Sequence, residues 1–123
     1  MNSSAAIRPA LWLGAAFNSV VALSLLVPAA FGLAPPPAGA EFNTWILAWF
    51  VALFGAAYAW MARQPAVPRP LVALAALGKA GVFVIALACM ARGIIGAPAF
   101  AVAVVDLLFA LGFLAWLRAS RTQ

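Results

Sequence analysis

Four long apolar stretches dominate the chain, separated by short polar or proline- and glycine-rich breaks. They run over Ala10–Leu33, Asn43–Ala62, Pro70–Ala91 and Pro98–Leu117. Each holds about 20 residues or more, the length an α-helix needs to cross a hydrocarbon core of ~30 Å at 1.5 Å per residue. Transmembrane β-strands would show shorter segments alternating apolar and polar, and no such alternation is present, so helices are the expectation. The breaks are Ala34–Phe42 with Pro35, Pro36 and Pro37, Arg63–Arg69 with Pro65 and Pro68, and Arg92–Ala97 with Gly93 and Gly96. Pro70 and Pro98 fall in first turns, where a missing N–H costs nothing. Pro28 is expected to kink the outer third of the first helix, with Ser24 one turn below bonding the freed carbonyl. The pattern predicts an all-α fold, a polytopic four-transmembrane-helix antiparallel bundle forming one domain over residues 1–123.

Composition narrows the solvent. With 68% hydrophobic and 7% charged residues, the chain lacks the polar surface of a soluble domain, in which about a quarter of residues are charged. The net charge of +5 would suggest nucleic acid in a soluble protein. Here most of the bases stand at the ends of apolar spans, which is a topology signal, and no nucleic-acid partner is expected. Arg8, Arg63, Arg69, Arg118 and Arg121 fall on one side and Arg92 on the other. This asymmetry predicts both termini and the middle loop in the cytoplasm, with the Glu41 loop outside. Trp12, Trp60 and Trp116 are expected near the cytoplasmic interface and Trp45 near the outer one; Trp49, a turn deeper, reads as a packing residue. Arg8, the apolar run and Ala38-Gly39-Ala40 also resemble a secretory signal. The run of about 24 residues interrupted by Asn18 exceeds the 7 to 15 of a signal core, and reads as a span.

The candidate chemistry is sparse. Without histidine, and with Cys89 the single cysteine, neither an internal disulfide nor a zinc, copper or iron–sulfur ligand set can be assembled, and a histidine-held haem is excluded. No cofactor is expected, and no histidine-based catalytic apparatus, so the chain reads as a non-enzyme. Cys89 reads as a small apolar residue. What stands out is an intramembrane polar set, one group per helix: Asn18, Tyr58, Lys79 and Asp106. A charge at the bilayer centre costs roughly 2.5 to 3.5 kcal/mol on insertion scales, so Lys79 and Asp106 are expected to face a partner, a cavity or a ligand. Counting at 1.5 Å per residue brings the four groups toward one layer. Small residues beside them, Gly14, Gly55, Ala75, Ala76, Gly78 and Gly81, would let neighbouring backbones approach.

The run Phe54-Gly55-Ala56-Ala57-Tyr58, then Pro65, then Leu77-Gly78-Lys79-Ala80-Gly81-Val82-Phe83, then Asp106-Leu107-Leu108-Phe109-Ala110 resembles a group of short bacterial four-helix membrane proteins with an "FGxxY … P … GK … DxxF" pattern. The resemblance covers the last two thirds of the chain. It implies the fold and compartment but no activity. Small multidrug-resistance transporters, also four helices long, carry a glutamate in the first helix, where this chain has Asn18.

Three readings follow for the polar set. In the first, Lys79 and Asp106 pair to allow insertion and fix helix register, and the chain is a non-catalytic accessory or structural membrane component. In the second, the pair lines the pathway of an oligomeric small-molecule or ion transporter or channel. In the third, the chain is a lipid- or quinone-binding protein or enzyme. A further arrangement has Lys79 reaching to the headgroups without meeting Asp106. Expected partners are the lipid bilayer and either further copies of the chain or another membrane protein.

Overall fold

A computed structural model of the chain describes residues 3–120; Arg121, counted above among the cytoplasmic arginines, lies outside them. Among the described residues the chain is all α. The helices are α1 (Ser3–Leu26), α2 (Glu41–Arg63), α3 (Arg69–Ala91) and α4 (Ala97–Ala119), with a 3-10 turn at Pro28–Phe31. All four helices are long and apolar enough to cross a membrane.

The last three helices lie within two residues of the expected bounds at either end, because proline and glycine punctuate them. Pro68 precedes α3, and Gly96 precedes α4. At the end of α3, Gly93 adopts φ 68°, its N–H bonds the Met90 carbonyl, and Ile94 N–H bonds that of Cys89. This is a Schellman closure, and the left-handed residue it needs is the reason for glycine there. Glu41 folds its carboxylate back onto the Gly39 N–H (2.8 Å) as α2 begins.

The first helix departs from expectation. It begins seven residues before Ala10 and ends at Leu26 rather than Leu33. Pro9 lies inside it without ending it, whereas Pro28 stops the helix and starts the 3-10 turn instead of kinking a continuing one. Ser24 donates to the Val21 carbonyl (2.7 Å), one turn back, and not to a carbonyl freed by Pro28. A serine in a helix finds its own preceding turn more readily than a distant orphan.

The contacts divide the chain into two compact units. One comprises residues 8–64, most of α1 with α2. In it Arg8 donates to the Gln64 carbonyl (2.8 Å) and Asn18 to the Val51 carbonyl (3.2 Å), so α1 and α2 run antiparallel. They pack tightly at Gly55, where an added Cβ would stand 3.2 Å from the Asn18 Cβ and 3.3 Å from the Ala15 carbonyl oxygen.

The other unit comprises residues 1–7 and 65–123. Ser4 Oγ accepts the Val67 N–H at 3.1 Å, tying the start of α1 to the segment before α3. α3 and α4 form an antiparallel hairpin, fixed at one end by Arg69 with Leu117 and near the other by Phe83 with Phe100 (ring centroids 5.9 Å apart). Buried positions on α3 are Val72, Ala75, Ala76 and Lys79, and on α4 Ala103, Asp106, Ala110 and Phe113. Their three- and four-residue spacing is one helical face on each. The register that sets 79 opposite 106 also sets 75 opposite 110 and 72 opposite 113. Two alanines thus meet one turn from the charges, which lets the backbones close in.

Candidate functional site

Lys79 and Asp106 form the most polar point of the α3–α4 hairpin. Lys79 Nζ donates to Asp106 Oδ1 at 2.5 Å. The two residues are 5% and 7% exposed, so both charges are taken out of solvent together. The Lys79 ammonium also stands 5.3 Å from the centre of the Phe109 ring. An aromatic face carries partial negative charge and adds to the attraction without introducing another ionisable group. Phe109 is three residues beyond Asp106, on the adjoining strip of α4, so the helix that supplies the counter-ion also supplies the ring.

The pair marks a limit of the packed interior. On α3 no described residue after Lys79 is buried, and on α4 none before Ala103. Beyond that limit Val82, Val84, Ile85 and Leu87 are exposed, as side chains facing lipid would be. The Phe83–Phe100 ring pair lies between the charges and the connecting loop. Lys79 is therefore directed across to α4, not along its own helix toward a membrane surface.

The other two expected members belong to the unit of α1 and α2. Asn18 is buried and its amide donates to the Val51 carbonyl; a helical carbonyl has a second lone pair free for such a bond. Tyr58 is 2% exposed, with its ring 6.5 Å from that of Phe54. Within its own unit, each helix pair thus buries the polar groups assigned to it.

The small residues sort differently from expectation. Gly55 sits at a tight crossing, but an added Cβ at Gly78 or Gly81 would meet nothing within 4 Å. Those two glycines lie beside Lys79 in sequence but not on its buried face. Ala75 and Ala76 do. Trp49 needs a correction too: it is 65% exposed and does not pack inside the chain. Nine residues, two and a half turns, separate it from buried Tyr58, which puts it on the opposite face of α2.

Sequence reasoning missed two arginine caps. Arg69 donates to the Leu117 carbonyl (2.8 Å) and to Ser120 Oγ, and its guanidinium lies 5.8 Å from the Trp116 ring centre. Arg8 donates to the carbonyl of Gln64, the C-cap of α2. Both cations therefore serve the C-terminal end of a neighbouring helix, where carbonyls lack intrahelical partners and the macrodipole is negative. Reading these arginines only as topology charges concealed this role; the antiparallel register of 79 with 106 already sets Arg69 beside the end of α4. Cys89 is half-buried. Among the described residues no three acidic, cysteine or histidine side chains gather into a metal-ligand set.

Comparison with protein-family models, curated proteins and solved structures finds no match to this chain. The chemistry is therefore read from its own residues.

Proposed function

We propose that this protein is a non-catalytic integral membrane component, crossing the inner membrane of a bacterial cell four times with both termini in the cytoplasm. In this reading Lys79 and Asp106 are a structural clasp that lets α3 and α4 enter the bilayer together and holds their register. The observation that carries it is the direct 2.5 Å pair of two buried side chains. An isolated ammonium or carboxylate at that depth is strongly disfavoured, while a contact pair presents the lipid with a dipole. The connectors between the four apolar helices are short and offer little surface, so in this reading the helices themselves recognise another membrane protein, or further copies, within the bilayer.

The rival reading, a transport pathway through the pair, would require the two groups to separate and exchange partners. Both are supplied instead with close neighbours: each other, the Phe109 ring and flanking alanines. The test is a flux assay on the purified chain in liposomes loaded with a pH-sensitive dye. The structural reading predicts proton and ion leak equal to protein-free liposomes. A leak that disappears in Lys79→Met/Asp106→Leu would overturn it.

A further inference from the structure

The outward face of α2 is unlike that of a helix merely dissolved in lipid. Trp49, Leu53, Ala56, Trp60 and Arg63 recur at alternating four- and three-residue steps, so they form one stripe along the helix. All five are exposed, with Trp49 and Trp60 at 65% and 53%. Arg63 also differs from Arg8 and Arg69, which cap helix ends. Among the described residues it makes no hydrogen bond or ion pair, so its charge is open to an external anion. Between the two indoles the stripe is lowered by Ala56, with Ala52 at its edge. The step from Trp60 to Trp49 is about 16 Å at 1.5 Å per residue, close to the ~15 Å depth of one leaflet's hydrocarbon.

We propose that this stripe is a binding site for one anionic phospholipid. The phosphate meets the Arg63 guanidinium at the headgroup level, beside the Trp60 indole N–H. One acyl chain lies in the notch over Ala56 and Ala52 against Leu53, and its end reaches Trp49. Complementarity fixes the occupant. A free cation at one end and an apolar stripe one leaflet long match an amphiphile with a negative head. This also gives a role to Trp49, whose indole is exposed one turn deeper than Trp45. The inference rests on the reading that the chain spans the membrane.

The test uses the full chain in phosphatidylcholine vesicles carrying a minor fraction of tail-brominated lipid, with quenching of tryptophan fluorescence as the readout. Tail-brominated phosphatidylglycerol is expected to quench with an apparent affinity about fivefold above tail-brominated phosphatidylcholine, the gain typical of one arginine near an anionic headgroup. Arg63→Gln should abolish that preference. Arg118→Gln, which removes one charge from the same proposed side of the membrane, should preserve it. Ala56→Phe, which fills the notch and touches no buried residue, should also abolish it, and circular dichroism checks the helicity of each variant. Equal quenching by both lipids, or equal loss in Arg63→Gln and Arg118→Gln, overturns the lipid site and leaves the membrane reading standing. Absence of quenching by either lipid overturns both.

Discussion

At the residue scale the chain makes its few polar groups work in pairs. Asn18 does so beside Gly55, whose missing side chain lets α1 come within contact of α2. Gly55→Ala places a methyl 3.2 Å from the Asn18 Cβ and 3.3 Å from a backbone oxygen that has little freedom to yield. It should lower the free energy of unfolding in mixed micelles by about 1–3 kcal/mol, the usual cost of overpacking. Gly78→Ala, on an open face, should be neutral or stabilising by up to about 1 kcal/mol, since alanine restricts the unfolded chain more than glycine does. The two glycines look alike in sequence, each in an alanine-rich helix near a polar residue. Which one is crowded depends on the facing helix, and a helix's own sequence does not display its partner.

At the scale of elements, the boundaries of α2, α3 and α4 were legible because proline and glycine mark them. α1 was not, since Pro9 and Pro28 carry opposite weight. Pro9 is the seventh residue of α1, where it forgoes the bond to the Ala5 carbonyl yet the helix continues, whereas Pro28 follows Val27 and the helix stops at Leu26. The arginine caps were hidden for another reason. Charge asymmetry explains every arginine at a span end equally well, and only packing separates Arg8 and Arg69, bound to carbonyls, from the open Arg63. Arg69→Met should therefore destabilise the α3–α4 hairpin by about 1.5–3 kcal/mol, the range for hydrogen bonds to a charged group. Amide exchange at the C-terminal turn of α4 should rise while that of α2 stays unchanged; an equal rise in both would show that Arg69 does not act as a local cap.

At the scale of the whole molecule, what the sequence makes plain is four helices long and apolar enough to cross a membrane, in a chain with two acids and seven bases. Lys79 and Asp106 were visible as costly residues, but not their direct contact, since counted depths leave several ångströms of slack that helix tilt can absorb. The proposed topology predicts that a cysteine placed in the Ala34–Ala40 loop reacts with a membrane-impermeant maleimide in intact cells. One placed between Gln64 and Pro68 should react only after lysis, and the reverse pattern would invert the orientation.

The central claim is that the buried pair is a clasp. Its most direct measurement is equilibrium unfolding of the chain with Lys79→Met, with Asp106→Leu and with both. Each single change strands a buried charge and should cost about 3–5 kcal/mol. The double variant should return to the wild-type value or exceed it, by about 1–4 kcal/mol, because apolar side chains carry no desolvation penalty. A double variant as unstable as the singles would contradict the clasp and show that each charge is held by something other than its partner.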